Sequence, residues 1–243
     1  MKEEKHVAII LAAGKGSRMK SDIPKQFLIL NGKPLLYYSV QAFESSFVNE
    51  IILVTGQGQE EYCRHEIIEK YRFQKVSRII AGGKERYDSV YQGLRAVKDA
   101  DYVYIHDGAR PFLTALILNN AKECVEKYHA CAAGVPSKDT IKIADEYGFV
   151  RETPPRENVW NIQTPQVFSY TLIKDAYEQL YRLRAEKKCS GEDCIQITDD
   201  AMVVEYILKK QVKLFWGSYE NIKITTPEDI SIAEGFLERE KYR

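Results

Sequence analysis

No stretch of this 243-residue chain approaches the ~20 consecutive apolar residues that a bilayer-crossing helix needs, so no transmembrane segment and no membrane partner are expected. No secretory signal is expected in the first residues, MKEEKHVAIILAAG, whose apolar run is short and leads straight into a glycine loop. A surplus of either charge is also missing. Lysine and arginine number 35, as do aspartate and glutamate, which removes any general reason to expect nucleic acid or an anionic surface as a partner. The five cysteines, Cys63, Cys124, Cys131, Cys189 and Cys194, form no CxxC pair, and the plain expectation is a reduced, cytoplasmic protein. Cys189 and Cys194 bracket SGED in a polar stretch that reads as a surface loop. There is no Cys/His metal spacing, no Ser-His-Asp spacing, no internal repeat and no low-complexity segment.

What is present is a hydrophobic content of 44%, ample for a core, in a chain sized for one domain with an appendage. Short β-rich runs (HVAIILAAG, NEIILVTG, VSRIIAGG, DYVYIHDGARP, ACAAGVPSKD) alternate with helical patterns (PLLYYSVQAFESS, QEEYCRHEIIEKY, RYDSVYQGLRAVKD, LTALILNNAKECVEKY). That alternation predicts an α/β fold, a parallel sheet with helices on both faces. After Val135 the pattern changes. DTIKIADEYGFVRETPPRENVWNIQTPQVF alternates β-branched and polar residues around a turn at DEYG, and Pro154 and Pro155 exclude a helix between Thr140 and Trp160. The expectation is a single domain, 1–243, with a β-hairpin arm at about 138–162 that leaves the sheet and packs on another subunit, since such a hairpin is marginal alone. Helices follow in SYTLIKDAYEQLYRLRAEKK, TDDAMVVEYILKK and TPEDISIAEGFLERE, the last with Thr226 as N-cap, Pro227 at its first position and Asp229 close behind; VKLFWGS is a late strand.

In open α/β sheets ligands bind beyond the carboxyl ends of the strands, which gathers AAGKGSRM, TGQG, AGGKERYDS, HDGARP, VPSKDT and GSYENIKIT at one rim. In the first of these, Gly14 and Gly16 let backbone N–H groups approach an anion. The loop is not GxxxxGK[ST], and GxGxxR lacks the third glycine of a dinucleotide fingerprint. Arg18 and Lys25 instead point to charge neutralisation around a reacting polyphosphate, whereas Lys20 reads as a solvated helix face. Asp107 sits at a strand end in this basic rim, a natural ligand for Mg²⁺ or another divalent cation, which prefers oxygen and bridges phosphates; an ion pair with Arg110 is the competing reading. Ser89 is placed to contact a ligand from the helix after Gly82 and Gly83. His106 reads as a packed imidazole rather than a catalyst.

LAAGKGSRMKSDIPKQ resembles the signature loop of the sugar-phosphate nucleotidyltransferases. With GGKERYDSVYQGL, HDGARPF, GVPSKDTIK, PRENVWNIQTPQVF, TDDAMVVE and GSYENIKITTPEDI in the same order, the resemblance narrows to the 2-C-methyl-D-erythritol 4-phosphate cytidylyltransferase family and runs almost end to end. The chain departs from it at Gly108, where the family usually has alanine, and in the longer charged stretch RAEKKCSGEDC.

The resemblance implies a Rossmann-like, mostly parallel sheet with a protruding β-hairpin arm exchanged across a homodimer. It implies transfer of CMP from CTP to 2-C-methyl-D-erythritol 4-phosphate, with pyrophosphate released. By motif position, Arg18 and Lys25 embrace the triphosphate, Asp107 holds Mg²⁺, and Gly83 and Ser89 help read cytosine and ribose. Thr140 and Arg156 reach the partner subunit's polyol phosphate, Lys223 contacts phosphate from the last loop, and Arg110 and Thr225 fall among the substrate-binding positions. Backbone groups near Ala12, Ala13 and Gly83 are expected to select cytosine, their small side chains leaving no room for a purine. The chemistry agrees: a phosphate monoester is already ionised at neutral pH, so no general base is required, and fixed cations address the repulsion. Two alternatives stay open on the residues alone, a cytidylyltransferase for another polyol phosphate such as ribitol 5-phosphate, and a non-catalytic nucleotide-binding module.

Overall fold

The structure is a computed structural model that describes residues 3–14, 19, 23–186 and 196–240. Chain order runs β1 (His6–Ala12), a small hairpin β2 (Ile29–Leu30) and β3 (Lys33–Pro34), α1 (Leu35–Glu44), β4 (Glu50–Thr55), and α2 (Glu60–Cys63), continued by a π-helical turn over Arg64–Glu69. Then come β5 (Val76–Ala81), α3 (Arg86–Ala96), β6 (Tyr102–Asp107), α4 (Ala115–Tyr128) and β7 (Ala130–Pro136). A second hairpin, β8 (Ile143–Ala144) and β9 (Val150–Glu152), precedes β10 (Trp160–Ser169), α5 (Tyr170–Glu186), α6 (Asp200–Leu208), β11 (Lys213–Trp216) and α7 (Pro227–Glu240).

Seven strands form one sheet in the order β11-β7-β10-β6-β1-β4-β5. β1 pairs in parallel with β4 and β6, β4 with β5 and β7 with β11, while β10 runs antiparallel to β6 and β7. The apolar runs of β1, β4 and β6 follow from burial on both faces. Ala8, Ile10 and Ala12 join Leu36, Phe43, Ile67 and Leu118 on one side; Val7, Ile9 and Leu11 join Val90, Leu94, Ile173 and Val203 on the other. The sheet is thus mostly parallel with helices on both faces, as the sequence led us to expect. Among the described residues, no helix is long and apolar enough to cross a membrane.

One boundary differs. The arm is expected at about 138–162, but residues 160–162 already open a strand of the main sheet that runs to Ser169, in which Gln163, Thr164 and Gln166 are buried. Their polarity marks internal hydrogen bonds rather than solvent: Gln163 donates to the Ser218 carbonyl (2.7 Å) and Gln166 to the Asp199 carboxylate (2.9 Å). What leaves the sheet is the short hairpin β8–β9. It turns at DEYG, where the Asp145 carboxylate accepts from the Tyr147 and Phe149 N–H groups (3.0 and 2.8 Å) and Gly148 adopts φ +86°. The first turn of α7 is closed by the Asp229 carboxylate, which accepts from the Thr225 and Thr226 N–H groups (2.7 and 2.9 Å).

α3 lies on β1 through Gly93. A methyl group there would sit 2.6 Å from Ile9 Cγ2 and 3.3 Å from Val54 Cγ2. Alanine improves helix propensity by up to ~1 kcal/mol, but overpacking a core costs about 1–3 kcal/mol. Gly93→Ala is therefore expected to lower the urea midpoint at unchanged m-value.

Candidate active site

β1, β4, β5 and β6 are parallel, so their carboxyl ends open on one side of the sheet. The loops that follow line a cleft of about 760 Å³, among them Ala12, Ala13 and Gly14 after β1, Gly82 and Gly83 after β5, and Asp107 at the end of β6, with Lys25 and Lys223 joining them. The buried Gln26 fixes the first loop, its Nε2 donating to the Ala12 carbonyl (2.7 Å) and to Gln59 Oε1 (3.3 Å). Lys25 follows Pro24 in a 3₁₀ turn, and its ammonium donates to the Ile224 carbonyl (3.3 Å), so the first loop and the last meet across the cleft. Gly16 and Arg18 lie outside the described residues, as do Cys189 and Cys194.

Ser89 lines the cleft, but its hydroxyl serves the loop: it accepts from the Gly83 N–H (3.2 Å) and donates to the Glu85 carbonyl (3.3 Å). Glu85 and Asp88 close a reciprocal capping box at the start of α3. Gly82 is required by close approach, since a methyl group there would lie 2.6 Å from Ser89 Oγ and 2.7 Å from Ala13 Cβ.

Asp107 is the electrostatic centre. Its Oδ2 pairs with the Lys223 ammonium at 2.7 Å and its Oδ1 with Arg86 Nε at 3.3 Å. Burial pushes its pKa up, but the charges of Arg86, Lys223 and Arg110 outweigh it and hold the carboxyl well below the usual carboxylate range. Arg110 is not its ion-pair partner; its guanidinium turns to the last loop and donates to the Asn221 carbonyl (2.7 Å), acting as a brace outside the cleft lining. Thr225 also stands behind the lining, its hydroxyl donating to the Lys223 carbonyl (3.0 Å). His106 is buried and packed, as expected: Thr164 Oγ1 lies 3.0 Å from Nδ1 and the Arg110 carbonyl 3.3 Å from Nε2. Desolvation lowers its pKa to about 4, so it is neutral at pH 7.

Thr140 and Arg156 are not brought to this cleft. They meet each other on the exposed arm, where the Arg156 guanidinium donates to Thr140 Oγ1 (2.8 Å). Two residues that the sequence reading did not single out belong to the site. Arg86 opens α3 within GGKERYDS, as legible a rim cation as Lys25; Asp200 opens α6 within TDDA, where a carboxylate looks like an ordinary helix-start residue. They pair bidentately at 3.0 and 2.8 Å.

Residues 6–239 match the family model described as IspD: 2-C-methyl-D-erythritol 4-phosphate cytidylyltransferase. The chain is 52% identical over 233 residues to the enzyme of that name from Lachnospira eligens, covering 96% of this chain and 99% of the relative. It is 47% identical over 234 residues to that of Lachnoclostridium phytofermentans, covering 96% and 97%. Among solved structures it is similar to the 4-diphosphocytidyl-2C-methyl-D-erythritol synthase of Anaerococcus prevotii, with a TM-score of 0.81, 33% identity and coverage of 97% and 99%. A second, the cytidylyltransferase of Thermus thermophilus, gives a TM-score of 0.73 at 26% identity, covering 95% and 98%.

Gly82→Ala would press the β5 loop off the Ala13 loop without removing any polar group. Its expected effect is a loss of CTP affinity of ~10-fold or more by titration calorimetry, about 1.4 kcal/mol, with the fold retained by circular dichroism. Unchanged affinity would show that the two loops do not need their close approach.

Proposed function

The chain belongs to the 2-C-methyl-D-erythritol 4-phosphate cytidylyltransferase family, and from that premise we propose how its own residues divide the work. The enzyme transfers CMP from CTP to 2-C-methyl-D-erythritol 4-phosphate, giving 4-diphosphocytidyl-2-C-methyl-D-erythritol and pyrophosphate, a step of the non-mevalonate route to isoprenoid precursors. A phosphate oxygen of the polyol phosphate attacks the α-phosphorus of CTP; the O–P bond forms as the bond to the bridging oxygen of the β-phosphate breaks. No proton has to be removed, and the barrier is the approach of one anion to another and the charge on five-coordinate phosphorus.

The observation that carries the allocation is the set of cations around an ionised carboxylate on the cleft floor. Lys25 and Lys223 both line the cleft, one from the loop after β1 and one from the last loop. In this reading Lys25, with Arg18, neutralises the triphosphate, and Lys223 serves the polyol phosphate. Ala12, Ala13, Gly14, Gly16 and Gly83 offer backbone groups to the nucleotide, with Ser89 holding Gly83 in place. Arg110 and Thr225 support the last loop that presents Lys223.

Mg²⁺ fits this donor set. Asp107 and Glu85 are the carboxylates among the described lining residues; Glu85 is committed to its capping box, whereas Asp107 is ionised and faces the cleft. One carboxylate completed by substrate phosphates and water is an ordinary environment for Mg²⁺, so Asp107 would hold it. When bound it supplies further neutralisation of the phosphates.

The arm is assigned to a second subunit. It is tethered at 137–159 and carries exposed Tyr147 and Phe149 (79% and 73%) next to exposed Val150 and Ile141, apolar surface that a second copy would cover. Arg156 then offers a planar fork to the polyol phosphate of the other site, with Thr140 beside it.

Lys25→Ala is expected to lower kcat by ~10²-fold, the scale of one transition-state donor. Arg156→Ala should raise KM for the polyol phosphate more than KM for CTP. Mixing these two chains discriminates the arrangement. If the arm crosses, one site of each mixed dimer holds both lesions and the other neither, so pyrophosphate release recovers towards half of wild type per mixed dimer. If the arm serves its own subunit, mixing restores nothing. For the metal, a chelator should abolish activity, Mg²⁺ should restore it, and Asp107→Asn should raise the Mg²⁺ requirement. An unaltered requirement in Asp107→Asn would remove Asp107 as the ligand.

A further inference from the structure

Behind the cleft floor a run of buried polar side chains connects β10 to Asp107. Gln166, on β10, organises the start of α6. Its Oε1 accepts from the backbone N–H groups of Asp200 (3.0 Å) and Ala201 (2.8 Å), and its Nε2 donates to the Asp199 carboxylate (2.9 Å). Asp199 caps the same turn by accepting from the Met202 N–H (2.9 Å). Asp200 is thereby fixed where no solvent reaches it. Its Oδ1 accepts from the Tyr177 hydroxyl (2.6 Å) and from Arg86 Nη1 (3.0 Å), and its Oδ2 from Arg86 Nη2 (2.8 Å). The third nitrogen of that guanidinium, Nε, lies 3.3 Å from Asp107 Oδ1.

Such an arrangement is a poor source of stability, because desolvating two charges offsets most of their attraction. It is a good source of geometry. The bidentate fork fixes the guanidinium plane, Tyr177 fixes the carboxylate that holds it, and one nitrogen edge is left for Asp107. We propose that Asp200, with Tyr177 and Gln166, is a positioning residue of the transfer reaction: it holds Arg86 edge-on to Asp107 and keeps that guanidinium from swinging out to the phosphates of CTP. The proposal rests on the reading of this cleft as the transfer site. Arg86 consequently acts as a fixed wall, while Lys223, which among the described residues pairs with Asp107 alone, is the cation that substrates can redirect.

The test is steady-state kinetics on the full-length chain, with urea unfolding of each variant in parallel. Asp200→Asn, which keeps shape and loses charge, is expected to lower kcat by ~10-fold or more, the cost of a misplaced group near the reacting centre. KM for CTP should stay level or fall, because a released guanidinium attracts the triphosphate. Arg86→Lys, which keeps the charge but not the fork, should behave alike, and the double variant should be no slower than the slower single one. Tyr177→Phe, which retains the ring and is the variant most certain to fold, should lower kcat several-fold without raising KM for CTP. Wild-type kcat per folded chain in Tyr177→Phe and in either charge variant overturns the proposal, as do effects that multiply in the double variant. Lys25→Ala in the same assay separates the premise: if it is fully active the cleft reading falls, whereas if it is impaired and the others are normal only the positioning claim falls.

Discussion

A charged carboxylate at the end of a central strand has to be matched, and much of the site follows from matching Asp107. An uncompensated buried charge costs several kcal/mol, and stranding one partner of a buried pair about 3–5 kcal/mol. Arg86 at the start of α3 and Lys223 in the last loop supply the ion pairs, and Arg110 adds its charge from behind. These residues are distant in sequence, so the requirement ties β6, α3 and the chain after β11 into one rim. Arg86 in turn is matched by Asp200, which carries α6 into the same network. Lys25 adds a further cation on the cleft wall. The site thus holds more positive charge than its carboxylates cancel, a surplus that suits a triphosphate and a phosphate monoester together.

The same logic explains why an imidazole next to Asp107 is not a base. His106 is desolvated, so its proton affinity falls rather than rises despite the neighbouring carboxylate. Its two nitrogens are spent on Thr164 and the Arg110 carbonyl, and Thr164 in turn accepts from the Asp107 N–H (3.1 Å). The ring therefore fixes backbone on both sides of the strand end. A reaction whose nucleophile is already an anion leaves no use for a proton acceptor there, and the residue is available for structural work.

How much of this was legible in the sequence depends on the range of the interaction. β1, β4 and β6 are buried on both faces and announce themselves as apolar runs; the rim loops announce themselves by glycine and lysine. Gly82 and Lys25 could be read that way. The start of β10 was assigned to the arm, which was expected to run to about residue 162; the next residues, Gln163, Thr164 and Gln166, are polar yet buried, each a donor or acceptor for a distant segment, so polarity does not mark where the sheet resumes. Arg86 and Asp200 pair across 114 positions, and no local pattern marks such a pair. Arg110 was legible as a cation near Asp107 but not as a brace, since its partner is a backbone carbonyl beyond β11. Thr140 and Arg156 were placed by resemblance alone, and nothing in their own neighbourhood distinguishes them beyond the bond they make to each other.

The base of the arm links these two kinds of feature. Pro136 and Trp160 are still paired in the main sheet, and the Ser137 N–H donates to the Val159 carbonyl (2.8 Å), so the arm leaves from a closed two-strand root rather than from a loose loop. That root is fastened to the last loop. The Tyr219 hydroxyl donates to the Pro136 carbonyl (2.9 Å), Lys138 stacks its ammonium over the Tyr219 ring (3.8 Å), and Gln163 exchanges hydrogen bonds with the Ser218 backbone. Four residues after Tyr219 the same loop presents Lys223 to Asp107. A hairpin too small to be stable alone is therefore oriented by the segment that completes its own subunit's cleft. The loop that carries Lys223 thus also holds the root from which Arg156 and Thr140 are presented.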